Sequence, residues 1–402
     1  MFGRLTQSVT GKNPPARTIT YEVMSFYDKR WVIDCIMDDE ELAIERARQL
    51  LLEEKTEQVK VVRQRSMNTG FSTEKAVFEQ ARPPKGKKEI SLSASIRAAP
   101  PCDTLDDFFA LEARVVMGRI FREFLDKLVI TPSELLHNYS YIKKLDATGN
   151  LISGAVFQIA QAQSNAGLGA VKDRANALHR LVDEAKMLAR DTLAERKRLP
   201  LLEEKQFGML CRRAEARFEP AERGYMIMTS LTNYLAGSTS FGQKLEQLGK
   251  LFTPDVDADG VDRLDGVIAD VLGSGVMVQE LLGSHGSLGT ALSLLTDIAL
   301  GRLEAPPPTA SESLKLLLSL MQAHGLTASR RVLFDRLKRE LQGKKALCRD
   351  DLNAERRVLA ELEAKLKDDK GELLGGKEVA DAFTARREEI RKAHLRKAGV
   401  AT

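Results

Sequence analysis

The spacing of apolar positions changes twice within residues 18–62. Tyr21-Glu22-Val23-Met24-Ser25-Phe26 and Trp31-Val32-Ile33-Asp34-Cys35-Ile36 are rich in β-branched and aromatic side chains, which predicts two strands over 18–26 and 30–37. Asp28-Lys29 between them is a polar turn, so the pair reads as a hairpin. Residues 38–54 take up a helical rhythm, with Ala43, Ala47, Leu50 and Leu51 on one face. Asp38 or Asp39 is placed to cap that helix, and Glu40 and Glu41 sit in its first turn. Val59 and Val61 restore a two-residue period over 58–64, and Ala76-Val77-Phe78 suggests a fourth strand. The expectation is a ββαβ(β) unit with its helix on one face of a small sheet. Around sixty residues is a marginal size for an independent core.

After residue 104 the 3.6-residue period dominates. Met117, Ile120, Phe121, Phe124 and Leu128 predict one face of a long helix. Thr131-Pro132-Ser133-Glu134 is a helix start, with an N-cap, a proline at the first turn and an acid at the third position. Leu178, Leu181, Ala185 and Leu188, then Leu245, Leu248, Leu251 and Phe252, continue the pattern. Gly237, Gly273, Gly275 and Gly283 mark expected turns between antiparallel helices. Thr309 and Glu312 predict a capping box for a helix ending near Gly325, and another helix is expected over 329–342. Leu352, Leu359, Leu362 and Leu366 form a short stripe over 348–369, which suits a helical hairpin or short coiled coil. Gly375-Gly376 precedes a final charged helix over 377–397.

These patterns predict a mainly α protein: a small N-terminal α+β (ββαβ) module, a multi-helix body, and a C-terminal helical hairpin or short coiled coil. The expected divisions are a flexible 1–17, the module over 18–79, a Pro/Lys/Ser linker over 80–103, a helical bundle over 104–303 and a charged helical region over 304–402. The linker carries Pro83-Pro84, Lys85-Gly86-Lys87-Lys88 and Pro100-Pro101, and apolar periodicity disappears there, so mobility is expected.

Composition adds limits. Of 402 residues, 43% are apolar and 29% charged, enough for packed cores, and aromatic residues are only 5%, a balance that suits helices. The 61 basic and 57 acidic residues leave a net charge of +4, close to an evenly mixed surface. Cys35, Cys102, Cys211 and Cys348 lie far apart, which fits a reducing cytoplasm better than a disulfide framework. Residues 1–17 lack the apolar core of a signal peptide, and no apolar run reaches the roughly eighteen residues of a membrane span.

Several local patterns touch on chemistry. Glu134 and His137 have the ExxH spacing of carboxylate-bridged metal bundles, yet His179, His285, His324 and His394 have no acid three residues before them, so the second half of such a site is missing. Asp255, Asp257 and Asp259 copy the start of a calcium loop, which fails at its eighth and twelfth positions, Asp262 and Gly266. They are the one weak candidate for a metal. Tyr139 and Lys143 have the Tyr-x-x-x-Lys spacing of short-chain dehydrogenases, and Gly167 to Lys172 is superficially like a phosphate loop. Neither follows a strand of a nucleotide-binding sheet. Trp31, Tyr27 and Phe26 on the small sheet read mainly as core. Lys85, Lys87 and Lys88, with Arg386, Arg387, Arg391, Lys392, Arg396 and Lys397, are the basic clusters.

No catalytic residue and no cofactor is expected from these patterns. The function expected is that of a non-enzymatic cytoplasmic protein-interaction, scaffold or regulatory component. Its expected partner is another protein, or a second copy engaged through the C-terminal helices. The alternatives are nucleic-acid association through the basic linker and final helix, and an enzyme whose site is assembled from distant residues.

Overall fold

A computed structural model describes residues 18–27, 30–52, 56, 58–66, 72–81, 91–93, 96, 98–194, 201–283, 285–303, 310–348, 352–368 and 370–397. The expected flexible N-terminus, the lysines at 85–88 and Thr309 lie outside them. The chain divides into two compact units, Met1–Glu89 and Ile90–Thr402.

In the first unit, strands β1 (Thr18–Tyr27), β2 (Arg30–Met37), β3 (Gln58–Ser66) and β4 (Ser72–Ala81) form one antiparallel sheet in the order β2-β1-β3-β4. Helix α1 (Glu40–Leu52) starts where Asp39 accepts a hydrogen bond from the Leu42 amide at 2.9 Å. Ala43, Ala47 and Leu50 pack on Tyr21, Val23, Val59 and Val61, burying one sheet face. Two register shifts, at Val23/Met24 and Val61/Val62, place the extra residues Asp34 and Val77 out of the ladder. On the opposite face Phe26 meets Trp31 edge-on at 5.2 Å, and the Lys60 ammonium lies 4.4 Å from the Trp31 ring.

The regular secondary structure described in the second unit is helical apart from one isolated β-bridge. Helices α2 (Leu105–Phe109), α3 (Leu111–Ile120), α4 (Arg122–Leu128), α5 (Pro132–His137) and α6 (Tyr139–Asp146) precede a long pair, α7 (Leu151–Asn165) and α8 (Val171–Ala194). Then follow α9 (Phe207–Arg217), α10 (Pro220–Leu235), α11 (Phe241–Gly249), α12 (Ala258–Leu272), α13 (Gly275–Leu282) and α14 (Leu288–Leu300). The unit closes with α15 (Glu312–His324), α16 (Thr327–Gln342), α17 (Leu352–Lys365) and α18 (Gly376–Lys397). The protein is therefore mainly α with an N-terminal α+β module. Among the described residues no helix is long and apolar enough to cross a membrane.

The largest core runs from Leu202 to Ile390 and includes Leu245, Leu248, Leu264, Leu317, Leu333, Leu359, Leu362 and Phe383. The leucine stripe of α17 is thus buried against α14 and α18 of its own chain. A smaller core centres on Phe121, Leu125, Leu135 and Ile142. Beside it a cavity of about 80 Å³ lies between α3, α5, α6, α7 and α8.

Three local expectations change. The long helix over 117–128 is two helices, because Ser93 enters its hydrogen-bond ladder. The Ser93 amide donates to the Ile120 carbonyl at 3.0 Å, and its hydroxyl accepts from the Glu123 amide at 2.8 Å. The helix expected to start at Thr309 is capped by Ser311, which accepts from the Leu314 amide at 3.2 Å. In the span read as a linker, β4 runs on to Ala81, and the described residues beyond residue 90 lie against the helices. Ser91 and Ser93 bond to the α3–α4 junction, Pro100 accepts from Gln163 at 2.6 Å and Cys102 from Arg174 at 2.9 Å. The described residues from 91 to 103 form no helix or strand, in keeping with the lost periodicity, and several of their backbone groups are held by neighbouring side chains.

Candidate functional site: an arginine-lined cleft

Helix α16 carries Arg330, Arg331, Arg336, Lys338 and Arg339, and its position is fixed from its first turn. Its N-cap, Leu326, has no side chain to offer the free amides. Asp265 of α12 supplies the missing acceptor, taking the Ala328 amide at 2.7 Å, the Ser329 amide at 2.9 Å and the Ser329 hydroxyl at 2.5 Å. From that anchor Arg336 and Arg339 fall three residues apart on one face. Arg119 and Arg122, also three apart, come from the α3–α4 junction that Ser93 interrupts.

These four arginines and Lys338 line one cleft of about 580 Å³, together with Ser93, Gly273, Gly275 and Gln342. Four carboxylates line the cleft or the adjoining space behind it: Asp270, Asp335, Glu378 and Asp381. Arg119 donates to Asp335 at 2.5 Å, while its Nε is buried without a hydrogen-bond partner among the described residues. Lys338 pairs with Asp335 at 3.0 Å and with Glu378. Arg122 and Arg336 are held along their own helices by Asp126 at 3.1 Å and Glu340 at 2.8 Å. Arg339 has no carboxylate partner among the described residues; its Nε donates to the Asp335 carbonyl at 3.2 Å. Burial, with the like charges of Arg119 and Arg336 beside it, pushes the Arg339 guanidinium down to about 10.

The amino end of α13 opens into the same space. Its N-cap Ser274 accepts from the Val276 amide at 3.2 Å and donates to Asp126 at 3.0 Å. A β-carbon at Gly275 would come 3.9 Å from Arg336 Nη1, and one at Gly273 3.5 Å from Arg122 Nη2. Both are ordinary van der Waals distances, and they place the two guanidinia beside the helix start. A helix amino terminus carries partial positive charge, so it adds to the field of the arginines.

Behind the cleft the polar groups are satisfied. Arg114 pairs with Asp270 at 3.1 Å and donates to the Phe109 and Gly266 carbonyls, and Asp270 accepts from Ser133. Glu134 does not act with His137 as a ligand pair. It closes the capping box with Thr131 and forms a fully buried ion pair with Lys244 at 2.7 Å. His137 Nδ1 bonds the Ser133 carbonyl at 2.8 Å, and burial lowers its imidazole to about 4.

The aspartates of the calcium-like stretch are separated by role. Asp255 bonds Thr253 and Arg212, Asp257 caps α12 through the Gly260 amide, and Asp259 is exposed in the first turn. Among the described residues no three His, Cys, Asp or Glu side chains are grouped to hold a metal ion. All four cysteines are free, and burial pushes Cys102 up to about 12 and Cys211 up to about 11, which keeps both as thiols. The basic final helix is largely neutralised. Arg386 pairs with Glu355, Arg387 with Glu363, Arg391 with Glu388 and Lys392 with Glu389.

None of the cleft arginines stands out in the sequence. The available signal is the paired Arg-x-x-Arg spacing at 119/122 and 336/339, which places both members on one helix face. Compared with protein-family models, curated proteins and solved structures, the chain matches none.

Proposed function

We propose that this chain is a non-enzymatic binding protein, a scaffold or regulatory component that engages a phosphate-bearing partner through the arginine cleft. The observation that supports the reading is the convergence of Arg119, Arg122, Arg336, Lys338 and Arg339 with the start of α13 on one partly desolvated space. Gathered positive charges repel one another, and an entering anion relieves that repulsion. Planar guanidinium forks match phosphoryl oxygens two at a time. A guanidinium keeps its proton at neutral pH, so the cleft is suited to holding charge rather than relaying protons.

Nucleic-acid contact through the final helix is the weaker reading: Arg386, Arg387, Arg391 and Lys392 each pair with a carboxylate, whereas the cleft gathers its cations from several helices around Arg339, which has no carboxylate partner among the described residues. Self-association through the C-terminal leucines is weaker too, because α14 and α18 cover that stripe.

The test is titration calorimetry of the full chain with inorganic phosphate, pyrophosphate and a phosphoserine peptide in low-salt buffer. Binding is expected to weaken as salt is added, and Arg336→Gln or Arg339→Gln to lower affinity about ten-fold or more. Arg387→Gln, on the final helix, is expected to leave it unchanged. Absence of binding by every phosphate-bearing probe, or an equal loss in Arg387→Gln, rules the cleft out.

A further inference from the structure

The second feature of the fold without an assigned role is the cavity between α3, α5, α6, α7 and α8, separate from the arginine cleft. Its walls come from Leu135 and Leu136 of α5, Ile142 of α6 and Leu178 of α8, all buried. α7 adds Ile152, Val156 and Ile159 and α8 adds Val182, while the small side chains of Ala155 and Ala185 leave room between them. The described lining contains one charged group, Lys186, at the rim. Its ammonium lies 2.9 Å from Asp146, whose carboxylate is more than half exposed.

We propose that this cavity binds the alkyl chain of a short free aliphatic carboxylic acid, with the acid's carboxylate paired to Lys186. Two features select that chemistry. Water needs two to four polar partners, and the walls offer hydrocarbon, so the interior suits an apolar occupant. A cavity of about 80 Å³ holds several water-sized groups, room for a chain on the order of six carbons. At the rim a single cation selects an anionic head and rejects an amine. Asp146 already displays the kind of group this ammonium accepts, and, being exposed, it returns to water when a ligand carboxylate replaces it.

Titration calorimetry of the full-length protein with butanoate, hexanoate, octanoate and hexan-1-ol tests the assignment. Affinity is expected to rise about four-fold per added methylene, then level off near six carbons once the cavity is full. Hexan-1-ol is expected to bind about ten-fold more weakly than hexanoate, and Lys186→Gln to erase that difference while leaving the alcohol's affinity alone. Ala185→Leu, which fills the space, is expected to abolish both. Four results would overturn the proposal: no saturable hexanoate binding at low millimolar concentration, equal affinity for acid and alcohol in the native chain, affinity still climbing about four-fold per methylene from hexanoate to octanoate, or undiminished binding in folded Ala185→Leu. Should Ala185→Leu fail to fold, the chain-length series and Lys186→Gln decide between these outcomes.

Discussion

His137 shows how far a single residue's behaviour departs from what its sequence neighbours suggest. Its ExxH spacing points to metal, whereas its surroundings point to a neutral ring in a three-ring cluster with Phe109 and Tyr225, at 5.3 and 4.7 Å. The spacing was visible in the sequence, but the aromatic walls, drawn from α2 and α10, were not. Burial holds the imidazole at about 4 in the folded chain, against about 6.5 when unfolded. The folded value is the lower one, so below pH 6.5 the unfolded chain binds the extra proton. The stability contributed by the neutral ring is complete above pH 6.5 and is lost as the pH falls towards 4. Between pH 7 and 5 the loss amounts to about 2 kcal/mol. Urea unfolding at the two pH values measures it. His137→Gln, which does not titrate in this range, is expected to show a pH dependence shallower by that amount. Parallel dependence in the two proteins would mean that His137 is already charged in the native state.

Among the elements, α5 illustrates what local pattern can and cannot reveal. Its start was legible in full: Thr131, Pro132 and Glu134 form the capping box that their spacing predicts, with Thr131 accepting from the Glu134 amide at 3.1 Å. The second oxygen of Glu134 was not legible, because its partner, Lys244, lies on α11, 110 residues further along the chain. Both side chains are essentially inaccessible to water, at 0% and 1% exposure. Removing one member strands the other charge in the core. Lys244→Met alone is therefore expected to destabilise the protein by about 3–5 kcal/mol, while Lys244→Met with Glu134→Leu recovers much of that loss. A double-mutant cycle read by denaturant unfolding gives the coupling. If the two single substitutions simply added, the pair would not be acting as a unit. The same limit explains α3 and α4: the apolar stripe from Met117 to Phe124 was readable, but its break depends on Ser93, which sits in a segment without periodicity.

At the scale of the molecule, helix content, the small sheet and the order of elements followed from periodicity, because each element must bury its own apolar face. What periodicity leaves open is which faces meet. The arginine cleft draws on residue 93, on 119–122, on 273–275 and on 336–381, and no window of sequence contains it. The C-terminal stripe has the same ambiguity. Leu359, Leu362 and Leu366 read equally well as a seam between two chains or as part of one core. In the structure they join Phe383 and Ile390 in the core that also holds Phe207 and Leu245. That arrangement makes α17 and α18 part of the folding unit, with a consequence that concentration tests directly. Phe383→Ala leaves a void at a site with 0% exposure, so a loss of about 3–5 kcal/mol is expected. The thermal midpoint of native and variant protein should stay the same when protein concentration is raised a hundred-fold, since the stripe is covered within one chain. A midpoint that climbs with concentration, and a Phe383→Ala variant whose deficit shrinks with it, would place the stripe between copies instead.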